Sequence, residues 1–225
     1  MGDMTPLVVH HHFFKNAGIS IDLSLKKYFG DCWISLEGDH ARDIVTEIFF
    51  WKLVQVNPSV LAVSFHTLRP IKGMQNVPPI VFIRHPILRA KSVFAFTQKA
   101  PSQPNYQEIS KLTFLEYVEW ALDSEPCNGG VVINNYQIIH LSEASVRTSN
   151  ILEAHALDID LKEAKTFIDN ISAYGVVERF SESIYKYERI FARIYKGLKL
   201  EPLKTMLHQS LMEIYWSNCT PSKIN

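Results

Sequence analysis

Cysteine is scarce in this chain. Its three cysteines, Cys32, Cys127 and Cys219, are odd in number, far apart and without C-x-x-C spacing. This argues against a disulfide framework and a structural zinc site, and makes a reducing compartment the simpler expectation. Long apolar runs are also missing. No stretch approaches the ~18 to 20 residues of a membrane span, and the N-terminus has no basic region followed by a long apolar core and a cleavage site. A cytoplasmic protein without a membrane span is therefore expected. Charge of either sign is not in excess, with 23 Lys plus Arg against 23 Asp plus Glu. Whole-molecule charge thus points to neither nucleic acid nor an anionic membrane, and any anion recognition must be local. No Pro/Gly/Ser-rich block, single-sign block or internal repeat suggests a linker or a solenoid.

What remains is a globular composition, 47% hydrophobic and 20% charged over 225 residues, which fits one domain over residues 1–225 with one sizeable core. Leu7 to Phe14 reads as a buried strand that leaves through the turn Lys15-Asn16-Ala17-Gly18. The next segment is ambiguous. Ile19, Ile21, Leu23 and Leu25 alternate like a strand, whereas Lys26, Lys27 and Gly30 are helix C-terminus signals. Ile44, Val45, Ile48, Phe49 and Leu53 mark a helix closed by Asn57-Pro58. "VLAVSFH" (60–66) and "PIVFIRHP" (79–86) read as strands, and Ile87 to Phe96 as the helix after the second. Further helical faces lie at Phe114 to Leu122, Leu161 to Ile171 and Phe180 to Leu198, with a short "YGVVE" strand between the last two. Strands alternating with helices predict an α/β fold with a central parallel sheet flanked by helices. Ligands collect at the carboxyl ends of such strands, where Lys15, His66 and Arg84 all fall.

Two stretches carry anion chemistry. If a helix starts after Gly18, the amides of Ala17, Gly18, Ile19 and Ser20 and the helix dipole favour a phosphate or sulfate, to which Lys15 adds a mobile charge. The order differs from a Walker A loop, because the lysine precedes the glycine. In "VFIRHPILRAKSVFAF", Arg84 ends a strand, Pro86 suits a helix start, and Ser92 lies two turns in. A guanidinium and a hydroxyl can then reach one phosphate. Each stretch taken alone is also compatible with a plain turn or a solvated basic helix.

Taken together, they resemble the sulfotransferases that use 3′-phosphoadenosine 5′-phosphosulfate (PAPS), in particular the carbohydrate-type branch with a His-Ile-Pro-Lys-Thr-Gly/Ala-Gly-Thr-Ser start. That motif reads here His12-Phe13-Phe14-Lys15-Asn16-Ala17-Gly18-Ile19-Ser20. The family's second motif appears as Arg84-His85-Pro86, Arg89 and Ser92. A strand ending in His66 lies about twenty residues before it, and "AKTFIDNISAYGVVERFSESI" resembles a later Ala-Lys, apolar, Gly, apolar, Glu pattern. The likeness spans residues 7–185, with 200–225 unassigned. Departures are Ile19 for Thr/Ser, Asn16 for Thr and His85 for Asp.

The resemblance implies a P-loop-like PAPS sulfotransferase fold, with Ile19 to about Phe29 as the helix behind the phosphate loop. It implies sulfuryl transfer from PAPS to a hydroxyl acceptor, a glycan or a small molecule, without a metal. Lys15 would then bind the 5′-phosphosulfate and stabilise charge on the leaving oxygen, while Asn16, Ala17, Gly18, Ile19 and Ser20 line the donor loop. Arg84 and Ser92 would hold the 3′-phosphate. His66 is the expected general base, because an alcohol is a poor nucleophile until its proton is accepted. His10, His12, His40 and Glu37 are the competitors for that role. A nucleotide or small-molecule kinase and a PAPS-fold binding protein without catalysis are the alternative readings.

Overall fold

The computed structural model describes residues 6–36, 44–66, 79–103, 105–123, 130–148 and 151–202. At its centre are five parallel strands: β1 (Val8–His11), β2 (Trp33–Leu36), β3 (Ala62–Phe65), β4 (Ile80–Ile83) and β5 (Gly175–Val176). They lie in the order β2-β3-β1-β4-β5. The α-helices are α1 (Gly18–Phe29), α2 (Glu47–Val56), α3 (Pro86–Thr97), α4 (Tyr106–Ile109), α5 (Phe114–Asp123), α6 (Gly130–Ile133), α7 (Tyr136–Leu141), α8 (Asp158–Asn170) and α9 (Phe180–Phe191). This is the α/β architecture that the alternation predicts. Glu37, His40, His208, Cys127, Cys219, residues 68–78 and the last residues of the chain lie outside the described residues. No helix among the described residues is long and apolar enough to cross a membrane.

Every residue of β1 and β3 is buried, because helices cover both faces of the sheet. Side chains alternate between those faces. Val8, Ala62, Ile80 and Phe82 meet Ile21, Leu25 and Phe29 of α1 and Tyr187 and Phe191 of α9. Val9, Val63 and Phe65 point the other way, onto Phe50 of α2, and Val81 packs with Phe13, Tyr136 and Ala164. The same alternation sends His10 and Ser64, register partners in β1 and β3, onto the α1 face.

The ambiguous segment after Gly18 is a helix. Gly18, Ile21, Asp22, Leu25 and Phe29 are buried, a three- and four-residue spacing that defines one helical face. Lys26 and Lys27 occupy its last turn and Gly30 its C-cap, at φ 56°. Its head is open: Ala17 makes no side-chain cap, and the first turn holds no acid. By contrast Thr46, at the start of α2, accepts a hydrogen bond from the Phe49 amide. Ile44 and Val45, expected inside that helix, precede it.

β2 is a strand at Trp33–Leu36 that the sequence pattern does not announce, because it is an edge strand and all four residues are only partly buried. The apolar segment at 131–133 is a turn of helix, α6. Tyr187 of α9 is core, whereas Tyr185 of the same helix projects into solvent at 61% exposure.

β1 stands between β3 and β4. From β1 the chain crosses toward β2 and β3, and from β4 it proceeds toward β5, so the strand order reverses between β1 and β4. Outside the carboxyl ends of such a pair a crevice opens. Lys15 follows β1 and Arg84 follows β4.

Candidate functional site

The turn after β1 is built from two left-handed residues, Lys15 (φ 63°) and Ala17 (φ 64°), on either side of Asn16. Neither is glycine, so each costs on the order of 1 kcal/mol or more and persists only where the surroundings enforce it. Asn16 is the enforcing residue. It is buried, its backbone amide donates to the Phe13 carbonyl (3.0 Å), and its side-chain Nδ2 donates to the Phe82 carbonyl (2.6 Å) and to Oε1 of Gln137 (2.8 Å). The donor-loop position expected of Asn16 therefore lies inside the protein, where it shapes the turn. Ala17, Ile19 and Ser20 are half-buried at the head of α1. The Ser20 amide reaches the Ala17 carbonyl at 3.2 Å. The amides of Gly18 and Ile19, in the first helical turn, have no carbonyl one turn back to bond.

Gly18 has a packing reason to be glycine. A Cβ there would stand 1.9 Å from Cδ2 and 2.3 Å from Nε2 of His12, so the helix head rests directly on the His12 ring.

Three cations surround this turn. The Arg84 guanidinium donates from Nη1 to the Lys15 carbonyl at 2.9 Å, and Arg89 donates from Nε to the Phe14 carbonyl at 3.2 Å. Arg89 is 2% exposed, lies 3.8 Å over the Tyr136 ring and also donates to the Val132 carbonyl. Burial pulls it down to about 10. The Lys15 ammonium sits 4.6 Å over the Phe96 ring. Burial, then Arg84 and Arg89, bring it from its ordinary 10.5 to about 8. Among the described residues one carboxylate, Glu178, pairs with this group, 3.6 Å from Arg84 Nε. Three cations against one carboxylate leave a half-buried positive excess, which favours an anion.

Ser92 is half-buried one turn beyond Arg89 and one turn before Phe96. Those neighbours place it on the face of α3 that fronts the Lys15 turn. His85 stands where the resembling motif has aspartate and is exposed. Glu178, at the end of "YGVVE", accepts from the His85 amide at 3.3 Å while facing Arg84. A carboxylate is thus present at the head of α3, supplied by a distant segment.

Gln137 joins the two stretches. Its Oε1 accepts from the Arg84 amide (2.7 Å) as well as from Asn16, and its Nε2 donates to the Arg84 carbonyl (2.9 Å). One side chain therefore bonds the backbone of Arg84 as a neighbouring strand would and ties it to the Lys15 turn.

Beneath α1 lies a histidine group. Asp22, 1% exposed, accepts from Nδ1 of His10 (2.7 Å) on Oδ1 and from Nδ1 of His12 (2.6 Å) on Oδ2. Ser64 Oγ stands 3.3 Å from His10 Nδ1 and accepts from Trp33 Nε1 at 3.0 Å. His66, half-buried just after β3, lies against His12 with ring centroids 3.9 Å apart and the planes tilted by 37°. Burial raises the Asp22 carboxyl, but His12 and His10 outweigh it and hold it well below the usual range. His10 is lowered by burial despite Asp22. His66 is lowered well below 6.5 by burial and then by His12.

Nitrogen and oxygen atoms of His10, His12 and Asp22 lie within 4.8 Å of one another, close enough for a metal ion to bridge. Their N–O separations of 2.6–2.7 Å are those of hydrogen bonds, however. Ligands on a tetrahedral ion with ~2.0–2.1 Å bonds stand about 3.3 Å apart.

Lys15, Arg84 and the half-buried Ser92 face are thus grouped after β1 and β4, and His66 is grouped with His12 after β3. Asp22, Gln137 and the place of Arg89 in the cluster escape sequence reasoning. Only Arg89, as part of the Arg-x-Pro motif, left a signal.

No protein-family model matches the sequence. A relative from Archaeoglobus fulgidus, described as an uncharacterized protein, is 26% identical over 212 residues, covering 88% of this chain and 78% of its own.

Proposed function

We propose that the chain is a PAPS-dependent sulfotransferase that moves a sulfuryl group to a hydroxyl acceptor, a carbohydrate or a small molecule. The observation that carries this reading is the cation group of Lys15, Arg84 and Arg89 around an uncapped helix head, at the point where the strand order reverses. Such a place suits a ligand with anionic groups at both ends.

In this reading PAPS supplies an activated sulfuryl group whose departure leaves negative charge on a phosphate oxygen. Lys15 neutralises that charge, aided by the Gly18 and Ile19 amides. Arg84 and Ser92 hold the 3′-phosphate, and Arg89, with both of its bonds to carbonyls, fixes the wall between them. His66 accepts the acceptor's hydroxyl proton. Burial keeps its ring in the free-base form, at the cost of some driving force for accepting that proton.

Thermal stabilisation by adenosine 3′,5′-bisphosphate, compared with ATP plus magnesium, tests the donor. The bisphosphate is expected to stabilise the protein and ATP to do so less. The reverse order removes the reading in favour of a kinase. His66→Ala is expected to abolish transfer with nucleotide affinity nearly intact, and Arg84→Ala to weaken that affinity. Tight bisphosphate binding without PAPS consumption across hydroxyl acceptors would make the protein a nucleotide-binding module instead.

A further inference from the structure

The His10–Asp22–His12 group lies on the α1 face of the sheet, next to Ser64 and beside the apolar residues Val8, Ala62 and Ile80. A carboxylate and two imidazoles in that position are costly unless fully hydrogen-bonded. Both carboxylate oxygens are used, each by an Nδ1. That pattern fixes the tautomer of both rings and leaves Nε2 as the site where either can take a further proton. The His12 ring is gripped on three sides, by Asp22, by the Gly18 backbone and by the His66 ring. His66 is thereby seated on a ring that cannot turn.

We propose that Asp22, His12 and His10 are positioning residues for His66, holding its ring at the β3 end, where it accepts the hydroxyl proton. This rests on the sulfotransferase reading, in which the acceptor oxygen bonds to sulfur, the bond from sulfur to the phosphate oxygen breaks, and the hydroxyl proton passes to a ring nitrogen of His66.

Among the groups around His66 and its support are His10 from β1, His12 just after it, Asp22 from α1, Ser64 from β3 and Trp33 from β2, with the Lys26 ammonium 5.9 Å over the Trp33 ring. Asp22 and the two histidines act on His66 in opposite directions: the carboxylate favours its charged form, and His12 and His10 disfavour it.

The experiment is an NMR titration of the histidine Cε1–H groups in the full chain, with His66 assigned through His66→Asn. His12→Gln keeps a donor for Asp22 but cannot carry a proton, and it is expected to raise the His66 midpoint. Adding Asp22→Asn to that variant is expected to lower it again. A midpoint unmoved by either change overturns the proposal.

His140, whose ring stacks on Tyr136 and is lowered to about 4 by burial, reports whether each variant is folded. If His12→Gln loses the native His140 signal, His10→Gln is read instead, with a smaller shift of the same sign. Turnover plays no part in the titration. Opposite shifts without any PAPS consumption would therefore defeat the donor reading alone, and PAPS consumption with a fixed His66 midpoint would defeat this proposal alone.

Discussion

Replacing Gln137 by leucine tests whether the site is organised by side chain–backbone bonding between distant segments. The substitution removes three hydrogen bonds: from the Arg84 amide (2.7 Å), from Asn16 Nδ2 (2.8 Å) and to the Arg84 carbonyl (2.9 Å). Asn16 keeps its bond to the Phe82 carbonyl, whereas the two Arg84 backbone groups lose the partner that Gln137 supplied. At about 0.5–1.5 kcal/mol for each net bond, the loss is about 2–4 kcal/mol, with water able to reach the half-buried position and keep it near the lower end. For a chain of this size that is a fall in Tm of about 5–15 °C.

The assay is chemical and thermal unfolding of wild type, Gln137→Leu and Gln137→Glu, with calorimetric binding of adenosine 3′,5′-bisphosphate to each. Glutamate keeps both acceptor bonds and loses the donor to the Arg84 carbonyl, so it should lie between the other two in stability. Because the same side chain ties the Arg84 backbone to the Lys15 turn, affinity for the bisphosphate should fall about tenfold in the leucine variant, equivalent to about 1.4 kcal/mol of lost organisation. Stability within about 0.5 kcal/mol of wild type, the range of an ordinary surface substitution, would refute the reasoning, because the two motifs would then hold their places without the link.

Two further outcomes follow from the same geometry. Gly18→Ala drives a methyl into the His12 ring, which Asp22 and His66 hold in place. A cost of about 1–3 kcal/mol in urea unfolding is expected, and a neutral result would show that the ring moves freely. Lys15 binds its proton less tightly folded, at about 8, than at its ordinary 10.5, so the unfolded chain carries more protons between those values. Its cost to stability is fully present below about pH 8 and is relieved as the pH rises toward 10.5. Wild type should therefore gain stability relative to Lys15→Met across that window. An anion beside Lys15 reverses the shift, so binding of adenosine 3′,5′-bisphosphate near pH 8.5 should take up a proton. Calorimetry in two buffers of different ionisation enthalpy reads that uptake, and its equal presence in Lys15→Met would assign it to another group.

The interior strands were legible because burial on both faces leaves an apolar run: "VLAVSFH" contains β3 and "PIVFIRHP" contains β4. β2 was not, since an edge strand with four half-exposed residues has neither a continuous run nor a clean alternation. The Lys15 turn and Arg84 could be read because each ends a strand, and strand ends are where this architecture gathers ligands. Gln137 could not. It lies 53 residues from Arg84 and 121 from Asn16, and an isolated glutamine in a polar-apolar helix carries no local mark of the backbone it will bond.

The most informative failure of pattern is in α1. Its residues looked like a strand as readily as a helix because two positions on its buried face, Asp22 and Ser24, are polar, which breaks the apolar spacing from which a helix is recognised. Ser24 is accounted for locally, donating to the Ser20 carbonyl one turn back and accepting from the Glu201 amide. Asp22 reaches across the layer, to His10 in β1 and to His12 just after it, the ring against which His66 lies. A carboxylate in an otherwise apolar interface conflicts with the helix's own periodicity, and such conflicts concentrate where function sets the residue. Local ambiguity in this segment thus had a physical source: the helix gives up part of its apolar face to the two imidazoles beneath it.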